Sequence, residues 1–426
     1  MKVQILGAGI AGISLAYHLN EKGIDYSLFE ARKTWGGLLD SFEPYPGYIF
    51  DRFIHLSFTN NQYVRSLFDK SVGSIIHDNP KPYNLDKGLW LKHPVQFNLA
   101  PLGSQEKVQI IKGFIDADTN KEINNYEDWL IANYGNAFAD RFPKRYTRKY
   151  WTLPANKLST DWVSSRMAVP NIEQVLSGSY QNQEENFYYA KSMRYPIKGG
   201  YKSYLKHMTL DLDISTDKRA IDINLETKKI TFKDGSSEYF DVLASTIPAP
   251  ELIKIIRDVP NNIIKASKKL VASSGQLVSM GFKKEISDHL WYYIYDEDFL
   301  PARAYSPSLK SPNNVPTGKG SVQFETYYSK FKKSSMGGDQ MIDHITKKAT
   351  KLNLFDYNDI DFVDYREEKY ANVIYDHERK RNLKIVLDYL DSKNVFYCGR
   401  FGQWEYLWSD QSLLSGKKLA SKINKL

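Results

Sequence analysis

The chain has 426 residues, 42% hydrophobic and 25% charged, which excludes a wholly disordered chain and a disulfide-stabilised miniprotein. Its length predicts roughly two or three domains. Cys398 is the single cysteine, so an intrachain disulfide is excluded and a reducing compartment is favoured. The sequence opens without a signal-peptide pattern and has no apolar run near the ~18 residues of a membrane span. We therefore expect a cytoplasmic protein without a membrane span. The net charge of +8 and the 30 tyrosines are compatible with binding to nucleic acid, to a membrane surface or to a small anionic ligand.

The first predicted element is a strand at residues 3–6, followed by a glycine-rich turn and a helix. The turn reads Gly-Ala-Gly-Ile-Ala-Gly at residues 7–12, and a second predicted strand at 26–29 is followed by an acid. The glycines permit a tight turn, close approach of a pyrophosphate, and close packing of helix on strand. The helix amino terminus favours phosphate, and the acid accepts hydrogen bonds from ribose. The pattern predicts a dinucleotide site formed by Gly7, Gly9, Ala11, Gly12 and Glu30.

The middle of the chain changes character twice. Residues 105–140 have helical apolar spacing, with a predicted buried face of Val108, Ile111, Phe114, Trp129, Leu130, Ala137 and Phe138. Residues 208–245 contain short β runs with a hairpin turn at 234–235, and residues 242–248 form a buried strand that ends in proline. Residues 276–330 are again rich in predicted strands.

Near the carboxyl end, residues 394–398 are predicted to form a strand and residues 399–402 a turn. A helix is expected to start at residues 409–412, where Asp410 has the position of a cap. The positive end of this helix would stabilise negative charge on a bound group.

Several segments resemble those of FAD enzymes. Residues 31–39, with a basic residue and paired glycines, are similar to the segment after the ribose-binding Glu in the amine-oxidase and UDP-galactopyranose mutase superfamily. Residues 51–59 resemble the histidine loop of UDP-galactopyranose mutases. Residues 146–170 and 299–314 resemble their two arginine-bearing segments, and residues 399–406 resemble their Gly-Arg-x-Gly turn. The likeness spans most of the chain.

The resemblance implies an α/β fold in which a discontinuous Rossmann-like FAD-binding domain carries an inserted helical lobe and an antiparallel β-sheet substrate lobe. We expect the FAD domain at 1–90, 195–250 and 385–426, the mainly helical lobe at 91–194, and the sheet and helix lobe at 251–384. Besides the glycine motif, the implied FAD contacts are Ala31, Arg32, Gly36, Gly37, Leu38, His55, Gly399, Arg400, Asp410, Gln411 and Ser412.

The same resemblance implies a nucleotide-diphosphate sugar as substrate. The implied catalytic residues are Arg166, Arg303, His55 and Arg400, and the implied substrate-binding residues are Tyr146, Trp151, Arg166, Arg303, Tyr370 and Tyr406. These residue types suit the ligand, because arginine forks bind phosphate oxygens in pairs and tyrosine hydroxyls add neutral donors.

The implied reaction is a pyranose–furanose isomerisation in surface-polysaccharide sugar synthesis. Reduced FAD, through N5, attacks the anomeric carbon and displaces the diphosphate, and the sugar ring recloses without net redox change. NAD(P)H is a candidate external reductant. Four residues depart from the family pattern, namely Ile54, Phe58, Ala302 and Trp408. They favour a deoxy, amino or otherwise modified sugar over galactose.

Two other functions stay open. One is an FAD-dependent oxidoreductase of the amine oxidase or protoporphyrinogen oxidase type, and the other is a flavin-binding protein without catalysis. The arginine set favours the mutase, because an apolar tetrapyrrole or a cationic amine does not need it. Nucleic-acid binding is a poor fit because basic and acidic residues are interleaved. One cysteine and eight scattered histidines predict no metal site.

Overall fold

A computed structural model describes residues 1–163, 166–188 and 190–426. In chain order its strands are β1 (Val3–Leu6), β2 (Tyr26–Phe29), β3 (Ser41–Tyr45), β4 (Tyr48–Asp51), β5 (Ser74–Asp78), β6 (Tyr83–Asp86), β7 (Leu89–Lys92), β8 (Ser192–Pro196), β9 (Ile214–Ser215), β10 (Ala220–Asn224), β11 (Lys229–Phe232), β12 (Ser237–Tyr239), β13 (Val242–Ser245), β14 (Ser274–Phe282), β15 (Trp291–Ile294), β16 (Arg303–Tyr305), β17 (Gly320–Tyr328), β18 (Ile360–Glu368) and β19 (Val395–Tyr397). Its α-helices are α1 (Ile10–Asn20), α2 (Gln62–Ser71), α3 (Ser104–Ile115), α4 (Tyr126–Arg141), α5 (Pro143–Tyr150), α6 (Ile172–Tyr180), α7 (Lys206–Thr209), α8 (Ala249–Ile255), α9 (Asn261–Lys269), α10 (Pro307–Lys310), α11 (Asp339–Lys351), α12 (Arg379–Ser392), α13 (Gly399–Gly402) and α14 (Ser409–Ile423). Within the described ranges, no helix has both the length and the apolarity that crossing a bilayer requires.

A five-stranded parallel sheet, ordered β19-β13-β1-β2-β9, forms one layer of the fold. Its central strands β1 and β13 are buried at every position, as expected for a parallel sheet covered on both faces. Helices α1 and α14 pack against each other beside it. The predicted strands at 3–6 and 26–29 are confirmed with the same bounds, and the strand predicted at 394–398 is confirmed over the shorter range of β19.

The strands of this sheet come from distant parts of the chain, because β1 and β2 pair with strands that follow more than 180 residues later. The sheet is therefore the core of a discontinuous Rossmann-like α/β domain, as the sequence predicted. The assignment of residues 1–90, 195–250 and 385–426 to this domain, of 91–194 to a helical lobe and of 251–384 to a sheet and helix lobe stays our proposal. One detail of it changes, because residues 83–90 belong to the second sheet.

The second large layer is a seven-stranded sheet, ordered β18-β14-β17-β16-β15-β6-β7. It is antiparallel apart from the parallel pairing of β6 with β15. The strands predicted within residues 276–330 are confirmed as β14, β15 and β17. Because Tyr83 pairs with Tyr292, strands β6 and β7 belong to this sheet, although residues 83–90 were expected in the first cofactor segment.

The helical region predicted at residues 105–140 contains α3 and α4, but its buried face differs from the prediction. Val108 was expected on that face but is 64% exposed, whereas Ile110 is 1% exposed. The reason is helical geometry, since two residues along α3 rotate the side chain by about 200° and place it on the opposite side. Residues 399–402, predicted as a turn, form the short helix α13.

Candidate functional site

The glycine turn after β1 forms a cradle around the first backbone N–H groups of helix α1, which have no partner within the helix. Helix α1 begins directly after Gly9 and carries no acidic residue in its first turn. A Cβ on Gly12 would lie 1.9 Å from the carbonyl oxygen of Gly7, so this turn accepts no larger residue. Gly9 forms a parallel bridge with Gly36, which brings the paired glycines of the next loop against the cradle. The unpaired N–H groups and the positive helix end suit a pyrophosphate.

Glu30 holds this loop in shape while its carboxylate still faces the cavity. Its Oε2 accepts a hydrogen bond from the Ala8 amide and its Oε1 accepts one from the Arg32 amide, each at 2.9 Å. Each carboxylate oxygen can accept a further bond, so Glu30 stays available to a ribose hydroxyl. The neighbouring Arg32 has a counterion, because its Nη2 donates to Glu368 at 2.7 Å.

A cavity of about 550 Å³ leads from the cradle to the amino end of α14, a size typical of ligand pockets. Most of the predicted site residues line it: Gly7, Gly9, Ala11, Glu30, Ala31, Arg32, Gly36, Gly37, Leu38, His55, Arg303, Tyr370, Gly399, Arg400, Tyr406, Asp410 and Ser412. Five others lie behind the wall instead, namely Gly12, Tyr146, Trp151, Arg166 and Gln411.

His55 is a neutral imidazole at the centre of the cavity. Two residues before it, Phe53 has the left-handed φ of 66°, so the chain turns at the start of the loop that carries His55. Burial lowers the pKa of His55 to about 3. Its Nδ1 lies 3.2 Å from the carbonyl oxygen of Phe53, to which a neutral ring donates. The Nε2 atom is then left as a hydrogen-bond acceptor.

Arg303 lies on β16 within a buried cluster of partners. Its Nε pairs with Glu325, and its Nη2 donates to the Tyr327 hydroxyl at 2.9 Å. Burial opposes the charge, but Glu325 and nearby tyrosine hydroxyls outweigh it and raise the pKa of Arg303 well above its ordinary value. Arg303 therefore stays charged but already has a counterion.

Arg400 and Arg166 both lie close to the ring of Tyr406. The Cζ atoms of Arg166 and Arg400 lie 4.1 and 5.0 Å from the centre of the Tyr406 ring. Arg166 donates to the Tyr406 carbonyl at 2.8 Å, and Arg400 donates to the Leu407 carbonyl at 2.8 Å. Burial, together with the nearby charge of Arg166, lowers the pKa of Arg400. Across residues 1–163, 166–188 and 190–426, neither arginine forms a salt bridge to a carboxylate. The pair leaves uncompensated positive charge beside the cavity, which suits an anion.

Two predicted substrate residues support the site from behind. Trp151 is 3% exposed and packs against Trp162 and Tyr406, with ring centres 4.7 and 5.2 Å away, so it holds Tyr406 in place instead of facing the cavity. Tyr146 stacks on Tyr150 at 5.7 Å in the same way. Tyr406 and Tyr150, which line the cavity, therefore separate Trp151 and Tyr146 from it.

Two further predicted residues lie closer to the cavity but have partners. Tyr370 lines it, and its hydroxyl donates to Glu251 at 2.7 Å. The first turn of α14 is closed by Gln411, whose side chain accepts from the Trp408 amide at 2.9 Å, so Gln411 and not Asp410 is the capping residue. Asp410 and Ser412 line the cavity, so the amino end of this helix faces it.

Sequence reasoning missed Glu325 and Tyr327, which hold Arg303. Both lie on β17 and point to the same side of it at a spacing of two residues. The one charged residue in this strand, Glu325, was the signal that could have identified them. Cys398 is buried, and burial raises the pKa of its thiol to about 12.

The parallel sheet, the glycine cradle and the acid after β2 together define a dinucleotide-binding protein of the Rossmann-like class. A family model described as an NAD(P)-binding Rossmann-like domain matches residues 5–71. Within the described residues, no group of three or more His, Cys, Asp or Glu side chains is arranged to hold a metal ion.

Known structures extend this assignment to the whole chain. A crystal structure of reduced UDP-galactopyranose mutase superposes with a TM-score of 0.92 and 25% identity, covering 99% of this chain and 95% of that one. A putative protoporphyrinogen oxidase from Exiguobacterium sp. 255-15 superposes with a TM-score of 0.77 and 13% identity, covering 100% and 98%. An oxidoreductase from Methanosarcina mazei gives 0.64 and 12%, covering 99% and 100%. The protein thus has the fold of UDP-galactopyranose mutase and resembles that enzyme from end to end.

Proposed function

We propose that the protein is an FAD-dependent nucleotide-sugar mutase, which interconverts pyranose and furanose rings for surface-polysaccharide synthesis in the cytoplasm. The observation that carries the proposal is a pair of arginines near the ring of Tyr406, Arg166 and Arg400, for which the described residues provide no carboxylate counterion. Arg400 lines the same cavity as the dinucleotide cradle, and Arg166 lies behind Tyr406, which also lines it. A nucleotide sugar carries two negative charges on its diphosphate, which matches two unpaired cations. The 25% identity to a UDP-galactopyranose mutase over nearly the full chain supports the same reading.

The residues present fit FAD. The cradle offers free N–H groups to a pyrophosphate, and Glu30 offers carboxylate oxygens to a ribose. At the other end of the cavity, the amino terminus of α14 presents its positive end beside Asp410 and Ser412. When bound and reduced, for which NAD(P)H is a candidate donor, FAD supplies through N5 the nucleophile for the anomeric carbon.

The protein's own residues have four tasks in this reaction. Arg400 binds the diphosphate and stabilises the charge that it gains as leaving group, and Arg166, behind Tyr406, adds positive charge at the same place. Arg303, which lies on β16 and is held in place by Glu325, orients the same end of the ligand. His55 offers a neutral acceptor at Nε2, which holds a proton donor of the ligand or cofactor without adding charge. The buried aromatic residues around the cavity exclude water.

The test compares this function with the oxidoreductase alternative. Dithionite-reduced protein is incubated anaerobically with UDP-galactose and with dTDP-sugars, and the products are separated by chromatography. An isomerised nucleotide sugar without net oxidation supports the proposal. Absence of both product and tight nucleotide-sugar binding contradicts it, and substrate-dependent oxygen consumption by the oxidised protein supports the oxidoreductase.

A further inference from the structure

Tyr201 is a fully buried residue that contacts two parts of the cavity wall from behind. Its ring centre lies 5.2 Å from that of His55. Its hydroxyl lies 3.0 Å from the side-chain oxygen of Ser409, the first residue of α14. His55 and Ser409 both line the cavity, whereas Tyr201 lies behind them. One side chain therefore joins the loop that carries His55 to the amino end of α14.

The backbone of Tyr201 is held by a buried carboxylate, that of Asp51. Its Oδ1 accepts a hydrogen bond from the Tyr201 amide at 2.9 Å and one from the Ser41 hydroxyl at 2.7 Å. Its Oδ2 accepts from the Tyr195 hydroxyl at 2.8 Å. Lys310 is the counterion, and the two charged side chains are both 0% exposed. Four donors hold this carboxylate in place, so the amide of Tyr201 has a fixed position.

The turn before Tyr201 requires glycine at position 200. Gly200 has a left-handed φ of 70°, which an L side chain rarely adopts. A Cβ there would also lie 2.2 Å from the Ser41 hydroxyl oxygen. The chain passes this close to Ser41 because the next amide must reach Asp51.

The two groups that Tyr201 joins act on a ligand in different ways. His55 offers an acceptor at Nε2, because its Nδ1 donates to the Phe53 carbonyl. The amino end of α14 offers positive charge, and this effect falls off within the first turn of a helix. The body of α14 is fixed by its packing against α1. Tyr201 holds the first residue of α14, so it controls the part of the helix on which the charge effect depends.

We propose that Tyr201 is a positioning residue, which fixes the spacing between His55 and the amino end of α14 so that both act on the same bound flavin. This inference rests on FAD as the cofactor of the proposed function and adds a residue that does not touch the ligand. A positive helix end favours the more negative, reduced form of a flavin. Tyr201 thereby helps to keep the flavin in the reduced state that the proposed reaction uses.

The test measures the two-electron reduction potential of the bound flavin by anaerobic titration against redox dyes. Tyr201→Phe keeps the ring beside His55 but removes the hydroxyl that contacts Ser409. We expect reduced FAD to bind about tenfold more weakly relative to oxidised FAD, which lowers the potential of this two-electron couple by about 30 mV.

Tyr204→Phe is the matched control. Tyr204 is 1% exposed, and its hydroxyl lies 2.8 Å from the side-chain oxygen of Ser74. Neither Tyr204 nor Ser74 lines the cavity. Both variants lose one buried contact between two hydroxyl groups, so they should lose similar thermal stability. Only Tyr201→Phe should change the potential, which a merely structural role would leave unchanged.

Ser409→Ala tests whether the effect is transmitted through α14. It should lower the potential as Tyr201→Phe does, and the double variant should add little to either single one. Additive shifts would show that Tyr201 does not act through Ser409 and would overturn the proposal. Because Ser409→Ala leaves Tyr201 in place, an unchanged potential in this variant overturns it even if Tyr201→Phe fails to fold.

The outcomes separate this inference from the proposed function. An unchanged potential in Tyr201→Phe, or an equal shift in Tyr204→Phe, overturns the positioning role and leaves the mutase function in place. A selective shift in a protein that forms no isomerised nucleotide sugar supports the positioning role and contradicts the mutase function. An unsubstituted protein that binds no FAD overturns both.

Discussion

Arg303 and Glu325 lie directly opposite each other on the antiparallel strands β16 and β17, and the carboxylate also accepts from the Ile54 amide. One fully buried carboxylate therefore fixes both an arginine proposed for the diphosphate and the loop that carries His55. Strand β16 and the loop that carries His55 therefore share this anchor.

Glu325→Ala should destabilise the fold and impair turnover. The substitution leaves Arg303 as a buried cation without a counterion, a loss of about 3–5 kcal/mol in the free energy of unfolding. Glu325→Gln keeps acceptors for the Ile54 amide and should be milder in stability, while kcat still falls because Arg303 is no longer held by charge. Thermal unfolding and anaerobic turnover measure the two effects. Glu238→Gln, at a surface pair with Lys2, is the matched control, and equal behaviour of all three variants would contradict this role.

Arg400→Ala and Arg166→Ala should each weaken binding of a nucleoside diphosphate. A charge-assisted contact to phosphate contributes about 1.5–3 kcal/mol, so we expect the Kd for UDP or dTDP to rise roughly 10- to 150-fold. Isothermal calorimetry at two salt concentrations measures Kd and its ionic component. Arg381→Ala, whose side chain is 72% exposed, serves as control. Unchanged affinity in both site variants would favour a flavin-binding protein without this activity.

The neutral state of His55 makes stability depend on pH. Burial lowers its pKa to about 3, whereas in the unfolded chain the group titrates near its usual value of ~6.5. Between these values the unfolded chain binds a proton that the folded protein does not. The contribution to stability is therefore complete above about pH 6.5 and is lost as the pH falls towards 3.

His55→Gln should remove this contribution and flatten the slope of unfolding free energy against pH by up to one proton between pH 6.5 and 4. Denaturant titrations at several pH values measure the slope. His93, whose pKa burial also lowers to about 3, provides a comparison outside the cavity lining. His93→Gln should flatten the slope but leave the flavin spectrum unchanged, whereas His55→Gln should alter both. An unchanged slope in His55→Gln would show that its imidazole is charged in the fold.

Gly12→Ala should abolish cofactor binding, because the new Cβ would lie 1.9 Å from the Gly7 carbonyl oxygen. Helix α1 must then move away from β1, and the cradle opens. We expect purification of a colourless protein with lowered thermal stability. Gly103→Ala is the matched control, since no heavy atom lies within 4 Å of its added Cβ and its φ is −62°. Retention of a yellow, fully loaded Gly12→Ala protein would contradict the cradle assignment.

Local patterns in the sequence predicted the first part of the site, because its chemistry is contiguous. The strand, the glycine turn and Glu30 lie within 28 residues, from Val3 to Glu30. The tight turn requires glycine and the ribose contact requires an acid, so both can be recognised from residue type and spacing. The anchor at Glu325 was missed because its role depends on strand pairing between β16 and β17, which no local pattern reveals. Trp151 was expected at the ligand but lies behind Tyr406, since composition identifies an aromatic cluster without telling which ring faces the cavity.

The order of strands in the parallel sheet also affects how the protein is made. Strand β19 pairs with β13, and helix α14 packs against α1, whose first turn belongs to the cradle. A ribosome that has finished β1 and β2 has made the phosphate turn but none of the late elements that cover it. The nascent chain must therefore wait for residues 395–423 before it can retain its cofactor, so loading with the dinucleotide is expected late in translation or after release.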